Sequence, residues 1–147
     1  MRFCEKCKTA FCLTVPILSQ VKGMRIGRDS HACGLVRNPD RIVAVGGDTN
    51  TEDYHDKTTS EIFFLESGSW AEGPGIPGRN YHSDSVAVQY GDTFLLIGGN
   101  NVYDDERGVG NIYQFDARNF AWVKRKESLQ LGRSNYAGFE LPMSVKC

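Results

Sequence analysis

No apolar run in this 147-residue chain approaches the ~20 residues that a membrane-spanning helix needs. The longest near the N-terminus, FCLTVPIL from Phe11 to Leu18, is broken by Pro16. An excess of either charge is missing as well: 17 Lys and Arg stand against 18 Asp and Glu, a net charge of −1. Neither a nucleic-acid backbone nor an anionic membrane surface is therefore an expected partner. The chain has no N-x-S/T sequon, no nucleophile elbow, no phosphate loop and no H-E-x-x-H. Beyond Lys22 there is no convincing 3.6-residue apolar period, so helices are not expected. Arg2, Lys6 and Lys8 precede the apolar stretch as in a secretory leader, but Glu5 lies among them and no small-x-small site follows. The expectation leans to the cytoplasm.

Cysteine is present in an odd number, five, of which Cys4, Cys7 and Cys12 crowd the start, with Cys33 and Cys147 elsewhere. Cys4-x-x-Cys7 has the spacing of half a tetrahedral zinc site, yet no second pair of ligands follows. No metal and no cofactor is expected. The 40% hydrophobic and 24% charged residues describe a globular domain with a core.

What the chain does contain is a repeat. Arg28 and His31 in GRDSHACGLV match Arg79 and His82 in GRNYHSDSVAV, 51 residues on. Gly46-Gly47 matches Gly98-Gly99, and Trp70 matches Trp122, both at an offset of 52. A third copy opens at Arg133 in LGRSNYAGFELP, with Tyr136 in the histidine's place. Each copy reads as four short strands separated by turn residues. In the second these are SDSVAVQY, TFLLI, NIYQFDA and FAWVK; in the first, HACGLVR, RIVAV, SEIFFLE and GSWAE.

This pattern, Arg-x-x-His, an apolar strand ending in Gly-Gly, an aromatic strand and then a tryptophan, resembles the kelch repeat over roughly residues 25–142. The resemblance implies an all-β fold: a partial β-propeller of two four-stranded antiparallel blades plus an extra strand. Blade one is expected at about 31–72, blade two at about 82–124 and the start of a third from 133. Residues 1–24 form an atypical N-terminal segment, in which FCLTVPIL would be a surrogate outer strand with Ile17 or Leu18 near the tryptophan position, and 143–147 a tail. Apolar runs such as Ile42 to Val45 and Phe94 to Ile97 suit a middle strand covered on both faces. The glycine pairs would turn the backbone where a Cβ obstructs, and the tryptophans would fill the wedge between blades.

Residues that recur with the period of a fold are expected to build it. Arg28, His31, Gly46, Gly47, Trp70, His82, Gly98, Gly99 and Trp122 are therefore expected to be structural, and His55 a solvated loop residue. Specificity is expected in the segments that differ between copies, the loops 48–59, 73–81, 100–110 and 124–135. Their clustered carboxylates do not follow the calcium-loop pattern, which fails at Asp53. In substrate-recruiting kelch proteins such loops receive ligand peptides. The resemblance thus implies a non-enzymatic protein-binding module, a fragment of a larger propeller, with Arg79, Asn80, Arg133 and Asn135 as candidate contacts and Arg able to grip a carboxylate with both arms. Against this stands part of a kelch-type propeller enzyme, an oxidase or a sugar-modifying enzyme, with its catalytic residues elsewhere. Propellers close with about four to eight blades. Two blades leave apolar faces open, which predicts self-association or poor solubility of the chain alone.

Overall fold

In a computed structural model of the chain, residues 10–14, 17–49, 58–78, 82–100 and 108–138 are described. Every element among them is a strand, and every pairing is antiparallel. Strands β1 (Ala10–Thr14) and β2 (Ile17–Val21) form a hairpin, and β3 (Arg28–Asp29) pairs with β6 (Asp48–Thr49). A first four-stranded sheet runs β4 (Ala32–Val36), β5 (Arg41–Val45), β7 (Ser60–Phe64), β8 (Ser69–Gly73). A second runs β9 (Val86–Tyr90), β10 (Thr93–Ile97), β11 (Asn111–Asp116), β12 (Ala121–Ser128). Each sheet takes its strands in chain order, except that β6, between β5 and β7 in the chain, pairs with β3 instead.

The two sheets stack face to face, and alternation decides which side chains lie between them. Val36, Val43, Val45 and Ile62 from the first meet Phe94, Leu96, Phe115 and Trp122 from the second in one buried cluster. The sheets come closest at their first strands, β4 against β9 and β10. Gly34 makes that approach possible, because a Cβ there would lie 2.1 Å from Cγ of Phe94. Phe94 in turn meets Trp122 edge-on at 5.6 Å, so large rings fill the gap where the later strands separate. Gly34→Ala is expected to destabilise the fold by about 1–3 kcal/mol, since the Phe94 ring has no exposure into which to retreat. An unchanged thermal midpoint would contradict this packing.

Both ends of the stack are tied. At one end Arg37 N–H donates to Asp92 O at 2.9 Å. There the Arg41 guanidinium also lies between the rings of Phe64 and Phe120, 5.1 and 5.0 Å from their centroids. At the other, Asp84 N–H donates to Ser30 O at 2.9 Å. The glycine pairs sit at this second end, all four with positive φ: 67° and 84° at Gly46 and Gly47, 62° and 109° at Gly98 and Gly99. A Cβ on Gly47 would meet Asp29 O at 2.3 Å, and one on Gly99 would meet Ser83 O at 2.9 Å. Conformation and crowding both require glycine here.

Three details differ from expectation. FCLTVPIL is not one outer strand: β1 and β2 pair with each other, Thr14 opposite Ile17, because Pro16 lacks the N–H that a continuous strand would need. Strand β9 begins at Val86, with Ser83 making only an isolated bridge to Asn100. Strand β12 runs on to Ser128 through the exposed polar stretch Lys124 to Glu127, where Arg125 and Glu127 pair at 3.1 Å.

Candidate functional site

The registers sort the connections by length. Val45, Ser60 and Gly73 end or begin strands at one end of the first sheet, and Ile97, Val86, Asn111 and Ser128 at the same end of the second. The long connections 46–59, 74–85 and 98–110, and the chain after β12, therefore share this end. Among the described residues, the opposite end of the two sheets carries the short turns 37–40, 65–68, 91–92 and 117–120. A cavity of about 440 Å³ opens toward that turn end, lined by Arg37, Asp92, Gln114 and Asp116 together with the apolar Phe115 and Val123.

The repeated side chains lie beneath the loop end and are engaged in holding it. Arg28 is buried: Nη1 donates to Gly46 O at 3.0 Å, Nη2 to Thr59 Oγ1, and Nε stands 3.5 Å from the buried carboxylate of Glu61. Glu61 also accepts from Arg25 N at 2.7 Å and from Ile26 N at 3.1 Å. Fifty-two residues on, Pro77 has no N–H to give, and Tyr113 in place of Glu61 donates its hydroxyl to Pro77 O at 3.0 Å. The same joint is thus made with opposite polarity.

His82 is wholly buried; its Nδ1 is 2.9 Å from Gly98 O, and its ring meets Tyr113 edge-on at 5.2 Å. Burial lowers its pKa, and burial followed by the nearby Arg28 charge lowers that of His31 to about 4. His82 is thus enclosed and His31 half-buried, and both are held neutral. Each tryptophan indole donates to a carbonyl 48 residues earlier, Trp70 to Lys22 O at 2.8 Å and Trp122 to Pro74 O at 3.1 Å.

Arg133 and Asn135 are exposed at the loop end. Their backbones anchor them: Gly99 N donates to Arg133 O at 2.8 Å, and Asn135 N to Asp84 O at 3.2 Å. Among the described residues the Arg133 side chain makes no hydrogen bond or ion pair, so its guanidinium is available. Arg79, Asn80, His55, the Cys4–Cys7 pair, Cys147 and most of the acidic loop residues lie outside the described residues. Among the described ones, no group of three His, Cys, Asp or Glu is placed to hold a metal ion, and no helix is long and apolar enough to cross a membrane. Glu61 and Tyr113 are contributors that repeat matching passes over, since they differ between copies; the paired change of Arg25 to Pro77 is the signal that links them.

Cys33 is a free, half-buried thiol within β4, packed beside Val21 and Ile42 on the cluster of Met24, Ala44, Phe63 and Trp70, and the desolvation there pushes its pKa up to about 12. In the native protein at pH 8 it is expected to resist iodoacetamide and to react once urea unfolds the chain, as peptide mass mapping would show. Rapid native labelling would contradict its placement.

Compared with protein-family models and with curated proteins, the chain matches none.

Proposed function

We propose that this chain is a run of kelch-type propeller blades whose loop-bearing end binds an acidic segment of a partner protein. The observation that carries the reading is the gathering of every long connection at one end of two rigid, stacked sheets, with the unengaged Arg133 guanidinium among them. A periodic scaffold that varies only in its loops encodes recognition there, and a guanidinium grips a carboxylate with two parallel hydrogen bonds. The repeat-defining residues support the blade reading: the two tryptophans, the two glycine pairs and the 52-residue spacing recur in equivalent structural surroundings. Their engagement in backbone bonds supports recognition rather than catalysis. The test is a peptide array probed with the intact chain. Acidic peptides should bind in a salt-sensitive manner, Arg133→Ala should weaken capture about tenfold or more with an unchanged melting temperature, and Asp92→Ala at the turn end should leave it unaffected. Binding indifferent to Arg133, or confined to the turn-end cavity, would overturn the assignment.

A further inference from the structure

The segment that follows β12 is pinned along its length and still leaves three side chains outside. Leu129 N donates to Gly110 O at 2.8 Å, Gly99 N to Arg133 O at 2.8 Å, Asn135 N to Asp84 O at 3.2 Å, and the Tyr136 hydroxyl to Ile97 O at 2.7 Å. Between these bonds two backbones touch. A Cβ on Gly132 would run into Gly108 O, and one on Gly108 would lie 2.5 Å from Arg133 N, so glycine on both sides seats the segment directly on the residues that lead into β11. Exposure follows this seating. Gly132, Ser134 and Tyr136 are partly buried, whereas Leu131, Arg133 and Asn135 are exposed.

Leu131 is 65% exposed, more than any other large apolar side chain that stands out from the described surface. The others, Leu65, Tyr90, Phe120 and Val123, belong to the turn end or to β12. A single apolar residue on a surface is ordinary. Leu131 differs in its place, at the loop end and two residues from a guanidinium that makes no hydrogen bond or ion pair among the described residues. The backbone carrying both is already fixed, so a ligand that covers them loses little to ordering of this segment. Charge points the same way: from Lys124 to Asn135 four basic residues stand against one acidic residue, Glu127.

We propose that Leu131 and Arg133 form one composite subsite, which selects, within an acidic partner segment, a carboxylate with an apolar residue two positions from it in an extended chain. The two residues are at most about 7 Å apart along the backbone, and an extended ligand repeats its side chains on one face at the same interval. Adjacent residues of such a ligand point to opposite faces, so immediate neighbours do not both reach the subsite. The guanidinium takes the carboxylate through two parallel hydrogen bonds. The apolar side chain covers Leu131 and excludes water from beside that pair. Asn135, on the other side of Arg133 in the segment, offers a donor and an acceptor to the ligand backbone.

This inference rests on the acidic-partner reading above and adds the apolar position, so the two fail separately. The experiment is a fluorescence-anisotropy titration of the intact chain, Leu131→Ser and Arg133→Ala with labelled heptapeptides capped at both ends. In an alanine–serine background the peptides carry Leu-x-Asp, Asp-x-Leu, Leu-Asp, Leu-x-x-Asp or Asp alone. One of the two orders at the two-residue spacing should bind about tenfold more tightly than Asp alone. Leu131→Ser should erase that advantage, leave the affinity for Asp alone unchanged and keep the parent's melting temperature. Arg133→Ala should weaken every acidic peptide. Equal binding at all spacings, or an advantage that survives Leu131→Ser, would overturn the proposal and leave the acidic-partner reading standing. A parent that binds none of the acidic peptides would overturn both. The chain's own run Val102 to Glu106, outside the described residues, pairs apolar and acidic side chains too. Peptide binding that appears only after Asp104→Asn, Asp105→Asn and Glu106→Gln would assign the subsite to that run and overturn the proposal of a partner segment.

Discussion

Arg28→Met is expected to lower the thermal midpoint by about 10 °C or more, corresponding to roughly 3–5 kcal/mol. The side chain is 1% exposed, and its removal leaves the Glu61 carboxylate, equally buried at 1%, without its cation. Two backbone N–H groups, of Arg25 and Ile26, would still solvate that carboxylate, so the charge is not wholly abandoned. They do not replace a counter-ion in a site that water does not reach. Gly46 O and Thr59 Oγ1 would lose their donor as well, loosening the connection between β5 and β7 at the loop end. The cost therefore comes chiefly from the orphaned partner rather than from any intrinsic strength of the pair. It follows that Arg28→Met combined with Glu61→Gln should recover part of the loss, because the neutral amide keeps an acceptor for the two N–H groups without a buried charge. A midpoint for Arg28→Met within about 2 °C of the parent would show that the ion pair does not hold the two segments together.

How much of this was legible in the sequence depends on whether a residue repeats. Gly46-Gly47 and Gly98-Gly99 stand at one spacing because each pair turns at the same place in its sheet, under the same crowding from the strand ahead of it. Trp70 and Trp122 repeat because each bridges to a carbonyl of the segment before its own sheet. Strand positions followed from apolar runs bounded by turn residues, and β5 and β10 fall as read. What does not repeat was not legible. Glu61 sits in the run SEIFFLE as one polar residue among apolar ones, and its reason lies more than thirty residues away, in Arg28 and in the N–H groups of Arg25 and Ile26. At FCLTVPIL the interval to Trp70 marked an outer strand near Ile17 and Leu18, but not its division into β1 and β2, because an unbroken apolar run carries no turn signal other than Pro16. The extension of β12 to Ser128 was hidden for the opposite reason: an exposed outer strand needs no apolar alternation, and Lys124 to Glu127 read as a charged loop. At the candidate site, sequence singled out Arg133 and Asn135 but carried no sign that the first copy's arginine, Arg28, is consumed by an internal carboxylate while Arg133 projects outward.

Acidification from pH 7 to about 4 is expected to destabilise the fold through His31 and His82, the loss beginning near pH 6.5, above the range in which ordinary carboxylates protonate. Both imidazoles are held neutral, His31 with its pKa lowered from 6.5 to about 4 by burial and by the adjacent Arg28, His82 lowered by burial. The sign follows from proton counting. Above pH 6.5 neither the folded nor the unfolded chain binds these protons, and stability is indifferent to pH on their account. Below 6.5 the unfolded chain takes them up and the folded chain does not, so each further unit of pH removes up to about 1.4 kcal/mol per histidine until the folded pKa is reached. For His31 the loss is complete near pH 4 and amounts to about 3 kcal/mol. His82 adds to it in the same direction. Protonation of the His82 ring would place a second N–H at Nε2, which has no hydrogen-bond partner among the described residues, next to the edge-on Tyr113 ring. The Nδ1 contact with Gly98 O favours the charged form but does not outweigh enclosure. The measurement is the urea midpoint at intervals between pH 7.5 and 4, for the parent and for His31→Gln and His82→Gln. The parent should lose stability steeply below pH 6.5, and each variant, whatever its stability at pH 7, should show a shallower slope. A parent curve flat to pH 5, or slopes unchanged in both variants, would mean that these histidines are protonated in the native fold and that the loop end is more open to water than its packing implies.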